Sequence, residues 1–593
     1  MQILLSTARL SLLAVVFISP CFAKSNQRCR NVPGDPGFPS QAEWNKLNAT
    51  IDGKLVTVVP SAKFCHELPA KSCPSQQWAS TLFRTSIPGA MVNYNWEQDY
   101  LSHPPSLCLQ NGTTCGQGNV PVFAVNATEA RHIQASDAGV NFAVQHNLKV
   151  AVKASGHDFL GRSTAKGSLL LWTHGLRNVS FSDGFFINGT NVGSVITVGS
   201  GMPLNLLYEE AKGADKFVVG GGTATVALAG GYVQGAGHSI FSPVFGLTAD
   251  NTLGNYLHED PSYILVNGLE EFQVVIANGS LVTANAVENP DLYWALRGGG
   301  GGSWGVVISA TVRTYPIFSA TSHSVNIIAS TNETAADLMT LHARHIFDWD
   351  DVRAGQYFNL YNNFVVPSVD GNMLTLLTYF ANKTGDDAKL LMKPFLDDAR
   401  SMNFSVQTET TSTGLANDLL FKADASFGIN LILGSRLIPA KAYREAPEKI
   451  GQAVKELLEK GAPELLGNLL AGGKVSENAD IASAVTPKWR TAKTHLMVAQ
   501  GWLDSATPAE VEAAKKQLTN EWVPILAQMT GEKDSGAYSN EADVREPNFQ
   551  QTFFSTNYPR LLKVKNEYDP YDLFIVGAGV GSENWDAAGL CRR

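Results

Sequence analysis

Short apolar runs rich in Val, Ile and Leu recur between Pro121 and Pro316, separated by glycine-rich turns and brief helical patterns. Leu148–Ala154, Ser168–Trp172, Val195–Val198, Phe272–Ile276 and Val306–Val312 predict strands, because apolar runs this short, bounded by turn residues, suit a pleated buried surface. Beyond residue 317 the period changes. Tyr443–Lys460 and Pro508–Met529 predict amphipathic helices, interleaved with strands at Met373–Phe380 and Ile429–Leu433. Residues 24–118 predict loops, and the stretch Gly536–Phe574, rich in Tyr, Asn and Pro, changes character again. The fold class expected is α+β. The pattern contains no repeat, coiled coil or low-complexity tract.

The N-terminus adds a compartment. Arg9 precedes the apolar run Leu10–Ile18, and Cys21-Phe22-Ala23 suits cleavage after a small residue, so residues 1–23 read as a secretory signal peptide. The run is too short for a membrane span, and no later stretch is apolar enough to cross, so no membrane anchoring is expected. Seven cysteines become six once Cys21 is removed, an even number suited to disulfides. The expected pairing, one of several that six cysteines allow, joins Cys65 to Cys73, Cys108 to Cys115 and Cys29 to Cys591. Nine N-x-[S/T] sequons, at Asn48, Asn111, Asn126, Asn178, Asn188, Asn278, Asn332, Asn382 and Asn403, favour a secreted glycoprotein. The net charge of −9 argues against a nucleic-acid partner, since no basic face is available for phosphates.

Glycine clusters carry the candidate chemistry. Ser155-Gly156-His157-Asp158, with Gly161 beyond, follows a strand-like run, and such a turn exposes backbone N–H groups to a pyrophosphate. Taken alone, His157 reads first as a histidine in a surface turn. Gly220–Gly222, Gly230 through Gly237-His238, and Gly298–Gly302 would let a planar ring or phosphate lie on bare backbone, although close packing of strands asks for the same residue. Three such loops favour a large cofactor. The run Phe574–Ser582 imitates a dinucleotide-binding turn, but Ser582 stands at the third glycine position and too little chain follows for the helix and second strand. There is no G-x-S-x-G, H-E-x-x-H or P-loop, and no metal ligand is expected.

Taken together, SGHDFLGRS at 155–163, GGYVQGAGHS at 230–239, FGLTADN at 245–251, NPDLYWALRGGGGGSWGVV at 289–307, AYSNEAD at 537–543 and NYPRLLKVKNEYDPYDLF at 557–574 resemble the secreted FAD-linked oxidases of the vanillyl-alcohol-oxidase superfamily. The branch they resemble is the berberine-bridge-enzyme-like one in its fungal form. The resemblance implies a two-lobed FAD-binding domain of the PCMH type at 120–316, after a disulfide-rich segment at 24–119. It implies a substrate domain over an antiparallel sheet at 317–535, and a C-terminal segment at 536–593 that returns to the flavin. It makes His157 the residue bonded covalently to the flavin. Ser155, Gly156, Asp158 and Gly161 would cradle the pyrophosphate, and Val226, Gly235, Gly237, Asp250, Asn251, Gly298 and Gly299 would line the rest of the FAD.

The sequence departs from the family in two places. Many relatives hold the flavin a second time through a cysteine. Here the corresponding residues are Thr223-Ala224-Thr225-Val226, or a one-residue shift of these, so the covalent bond expected is through His157 only. Val226 resembles the oxygen-admitting residue of family oxidases, which favours O2 as acceptor. Plant members carry Tyr in a tail motif where this chain has Glu541, and an aromatic residue in the glycine loop where it has His238. Loss of both phenols makes His238 the first candidate base, its alternative being a partner to flavin or backbone. Glu541 is second, its alternative a solvated or paired carboxylate. Tyr379 is third; with Tyr357 and Tyr361 it reads first as packing or substrate platform. The function expected is a secreted oxidase that moves a hydride from an alcohol or saccharide carbon to flavin and reduces O2 to H2O2. The alternatives are oxidative cyclisation or desaturation of a hydrophobic secondary metabolite, and a catalytically inactive flavin- or carbohydrate-binding protein.

Overall fold

The computed structural model describes residues 28–134, 138–255, 267–269, 271–366, 369–420 and 423–593. The expected signal peptide at 1–23 lies outside them. Two sheets build the first half. Phe123–Asn126, Leu169–Trp172 and Val150–Lys153 run parallel, in that spatial order, and Leu55–Thr57 pairs antiparallel on the outer edge. Leu169–Trp172 is buried along its length, as suits a parallel strand covered on both faces. The second sheet is antiparallel, in the order Leu281–Ala284, Phe272–Val275, Val306–Pro316, Thr190–Gly199 and Val179–Ile187. Val275, Ala277 and Val306 join Val125, Val150, Leu169 and Leu171 in one apolar cluster, so the two sheets are sealed against each other there.

The second half is a seven-stranded antiparallel sheet, in the order Ser405–Leu415, Ser319–Ala329, Val369–Ala381, Gly355–Val366, Glu464–Leu469, Ala492–Gly501 and Leu431–Pro439. Side chains alternate across it. Val325, Ile327, Leu374, Leu376, Phe358, Leu360, Leu496 and Val498 point into the largest core, beneath the helices Asn332–Asp350, Gly385–Ser401, Pro447–Glu459 and Val523–Met529. The other face turns toward the first half, where Tyr379 packs with Phe241, Leu204 and Phe217. Three of the helices that cover or flank this sheet start on capping boxes at Thr331, Thr384 and Thr507, which satisfy first-turn N–H groups.

The elements differ from expectation where proline intervenes. Tyr443–Lys460 is two helices, Ala440–Glu445 and Pro447–Glu459, because the residue before a proline is pushed out of helical geometry and Ala446 takes ψ +56°. Pro508–Met529 is continuous but widens into a π turn at Leu518–Trp522, next to Pro524, whose missing N–H and ring disturb the preceding turn. Residues 24–118 hold short helices as well as loops, the first capped by Ser40. The tail contains the helix Tyr558–Tyr568, which packs on Pro290–Leu296. Three disulfides join Cys29 to Cys591, Cys65 to Cys73 and Cys108 to Cys115, the expected pairing. Among the described residues no helix is long and apolar enough to cross a membrane.

Candidate active site

A cavity opens where the two sheets of the first half meet. Val152 and Val307 come from strands, Ala154, Thr173 and Ser200 from residues just past strand ends, and Ser155, Gly156, His157 and Asp158 from the turn after Val150–Lys153. That turn stands on a buried cation. Lys153 Nζ donates to the carbonyls of Ile87 (3.0 Å), Pro88 (2.6 Å) and Ala90 (2.8 Å), and Val92 N donates to Gly156 O (3.0 Å). Burial lowers the Lys153 pKa to about 7. Gly156 takes φ +87°, which a side chain would strain.

The glycine-rich loops form the opposite wall. Gly298 N and Gly300 N both donate to Gln234 O at 2.9 Å, tying the two loops together. A Cβ on Gly301 would stand 2.8 Å from Gly231 Cα, so the backbones touch. Gly230, Gly231, Gly301, Gly302 and Gly305 line the cavity, with Thr223, Val226, Tyr232, Gln234 and Phe427. Ser200 Oγ and Gln234 Oε1 are buried there without hydrogen-bond partners. A dinucleotide fits this donor set: bare backbone on two sides, unsatisfied polar atoms on the wall and an imidazole at the edge.

His157 Nε2 is 2.6 Å from Thr225 Oγ1, which leaves Nδ1 as the other ring atom for chemistry. Burial lowers its pKa to about 4, so the ring is neutral at physiological pH. Asp158 accepts from Arg162 Nε at 2.7 Å, and Arg162 Nη2 donates to Asn540 Oδ1 at 3.1 Å. Asn540 Nδ2 in turn donates to Gly231 O, Tyr232 O and Tyr538 Oη. The tail motif is thereby fastened across the glycine segment.

Glu541 lines the cavity beside Tyr538. Its Oε2 is 3.2 Å from His238 Nε2 and 3.5 Å from His495 Nδ1. Burial alone would raise the Glu541 carboxyl, but the facing His238, by charge and hydrogen bond, and His495 hold it below the ordinary carboxylate value. Burial drives the His495 imidazole down to about 4 and the Tyr538 phenol well above its usual range. His238 is presented by Gly237 (φ +66°) and by Ala236, a non-glycine residue at φ +116°. Ala249 N donates to Ala236 O (2.8 Å), Thr248 N to Gly237 O (2.7 Å) and Tyr232 Oη to His238 O (2.6 Å), and these bonds hold the strained turn.

Ser155, Gly156, His157, Asp158, Val226 and Glu541 are thus brought to one cavity, with His238 directly behind its wall. The other candidates lie elsewhere. Asp250 is a buried ion-pair partner of Arg490, with two bonds of 2.7 and 2.8 Å. Asn251 bridges Phe245 O, Leu247 O and Tyr315 Oη. Gly161 lets the Trp96 ring lie on the chain, Gly235 makes room for Asn540, and Gly237 for Tyr232. Gly298 and Gly299 pack on Val485 and on Ala295 O. Tyr379 Oη donates to Leu419 O (3.3 Å) inside the core between the halves. His495 and Trp489 were not foreseen. The signal for His495 is the strand alternation: Leu496 and Val498 face the helices, so His495 faces the site.

A cavity with this wall, a neutral imidazole at its edge and an ionised carboxylate within it define a flavin-dependent oxidoreductase. Residues 126–257 match the FAD binding domain model and residues 537–581 the berberine and berberine-like model. The chain is 37% identical to an uncharacterized FAD-linked oxidoreductase of Arthroderma benhamiae, over 99% of each. It is 32% identical to the VAO-type flavoprotein oxidase VAO615 of Thermothelomyces thermophilus, over 95% of each. The crystal structure of VAO-type flavoprotein MtVAO713 from Myceliophthora thermophila matches with a TM-score of 0.83 at 26% identity, over 95% of this chain and 100% of that one. The chain belongs to the FAD-linked oxidoreductases of the vanillyl-alcohol-oxidase superfamily, in the berberine-bridge-enzyme-like branch.

Proposed function

We propose that the protein is a secreted oxidase of alcohol or saccharide hydroxyl carbons, that it carries FAD covalently through His157 alone, and that it yields H2O2. The observation that carries the alcohol reading is Glu541: a carboxylate at the cavity wall, backed by His238 at 3.2 Å. FAD, when bound, supplies the hydride acceptor and the route of electrons to O2. The protein's share is to hold the substrate hydroxyl against Glu541, take its proton on the carboxylate, and exclude water with Phe427, Val226 and Tyr232. His157 supports the covalent bond because burial keeps its ring neutral and therefore nucleophilic, and Thr225 orients it. Among the described residues every cysteine is in a disulfide, so none is free to hold the flavin a second time. Secretion is supported by these disulfides and by the sequon asparagines, none of which is buried. Phe159 and Phe427 on the wall favour a second reading, oxidation of a hydrophobic metabolite.

Peroxide release across sugars, primary alcohols, aromatic alcohols and fused-ring metabolites separates the two. Turnover confined to the last class would overturn the alcohol reading. His157→Ala is expected to lose flavin fluorescence on a denaturing gel, and retained covalent flavin would refute the assignment.

A further inference from the structure

The corner where His238, His495 and Glu541 meet holds polar atoms that no hydrogen bond uses. His495 is fully buried, and apart from Glu541, whose carboxylate and main chain lie beside it, its ring meets no hydrogen-bond partner. His238, 7% exposed, leaves Nδ1 unsatisfied as well. An unpaired buried polar atom keeps its full desolvation cost, so several at one point mark a missing partner. That partner is small. His495 is not among the residues lining the cavity, and the rings of Trp489, Tyr538 and His238 surround it, with centroids 5.7 to 6.0 Å away.

The donor atoms suit an ion. One nitrogen from each histidine and one oxygen of Glu541 all lie within 4.8 Å of one another, and the two closest separations are 3.2 and 3.5 Å. A cation bound at about 2.0–2.2 Å to nitrogen and oxygen donors sets them about 3.3–3.6 Å apart in a tetrahedral arrangement. Among the described residues Glu541 has no Lys or Arg as an ion-pair partner, so no fixed cation occupies the role. Both of its closest contacts use Oε2, so Oε1 is engaged by neither histidine. We propose that His238, His495 and Glu541 form a three-ligand site for a divalent first-row cation, Zn²⁺ by its donor set, next to the flavin cavity. The three ligands come from a glycine loop, a strand of the large sheet and the tail, which is why no metal-ligand spacing is visible along the chain.

The ion places positive charge where a substrate oxygen arrives, while Oε1 remains available for the hydroxyl proton. A substrate with a second oxygen beside the reacting hydroxyl, a hydroxy acid or a vicinal diol, gains most from it. That substrate class rests on the alcohol-oxidase reading; the ion site does not. His238 Nδ1 has no acceptor to orient it, and such supports are worth about 10–100-fold in affinity. The ion is therefore expected to exchange, so binding has to be measured with metal present.

The test uses flavin-loaded enzyme, stripped with EDTA and then dialysed against about 100 µM Zn²⁺, a concentration that fills a site of micromolar affinity. The expected result is about one equivalent of zinc per flavin by mass spectrometry of the metal. An anomalous-scattering peak is expected among the three side chains. His345→Ala, which removes a surface histidine set between Asp348 and Asp398, is expected to keep that equivalent. His495→Gln and His238→Gln are expected to lose it with the visible flavin spectrum unchanged. Zinc absent from the wild-type enzyme, zinc at surface positions only, or zinc retained by both His495→Gln and His238→Gln would overturn the site. If the histidine variants fail to fold, the position of the anomalous peak in the wild-type enzyme decides. None of these readouts needs turnover, so an error in the substrate reading leaves the result interpretable.

Discussion

Two buried histidines lie on opposite faces of the seven-stranded sheet. His342, on the helix Asn332–Asp350, packs on the helix-covered face and donates from Nε2 to Gln356 Oε1 at 2.7 Å; Gln356 Nε2 passes the chain on to Thr378 Oγ1, also at 2.7 Å. His495, on the face toward the cavity, has no such partner. Both rings are held neutral by burial, with pKa values lowered to about 4. Burial and neutrality therefore do not separate a structural histidine from a functional one. Hydrogen bonding does: His342 is engaged by Gln356, whereas the ring of His495 meets only Glu541.

The comparison can be broken most decisively on the cavity side. Glu541→Gln is expected to lower kcat/KM by about 10²–10⁴-fold in an oxygen-electrode assay while the melting temperature changes little, because a general base is lost and packing is kept. A variant with wild-type kinetics would remove Glu541 from the chemistry. The helix-covered side predicts the reverse. His342→Ala opens a cavity among Phe358, Trp349 and Phe395 and leaves Gln356 Oε1 without its partner, costing about 2–4 kcal/mol by urea unfolding. The kcat of the folded fraction is expected to stay unchanged.

A pH series sharpens the same contrast. The His342 pKa falls from 6.5 in the unfolded chain to about 4 in the fold. Between those values the unfolded state binds more protons, so stability present above pH 6.5 is lost as pH falls toward 4. The loss expected from this residue is about 2–3 kcal/mol, and His342→Gln should flatten the slope. An unchanged slope would mean that the ring is already charged in the fold. The smallest effect belongs to Tyr379, whose hydroxyl makes one 3.3 Å bond to Leu419 O. Tyr379→Phe is expected to cost under about 1 kcal/mol and to leave kcat unaltered; a large fall in kcat would return Tyr379 to the catalytic set.

The chain alone determined what depends on neighbouring residues. The strands of the first half, the disulfide partners close in sequence and the small-residue turn Ser155-Gly156-His157 are local patterns, because strand propensity and turn geometry are set within a few residues. The glycine clusters were legible as a cofactor wall, but which glycines face it was not. Gly301 and Gly302 line the cavity, while Gly235, Gly298 and Gly299 make room for Asn540, Val485 and Ala295. A missing Cβ serves a ligand or a neighbouring segment equally well, and only the packing shows which. The side chains of Asp250 and Asn251 follow the same logic: Arg490 and Tyr315, far along the chain, claim them.

Tertiary structure alone decided the polar corner. Glu541, His238 and His495 converge because a tail loop, a strained glycine turn and one face of a β-strand meet at the cavity, and the register of Ala492–Gly501 against Leu431–Pro439 and Glu464–Leu469 orients the third. A shift of one residue would turn His495 into the helix-covered core and Leu496 toward the site. Sequence carries the two-residue period of that strand. It does not carry which of the two faces meets the cavity, since that depends on what packs against the sheet.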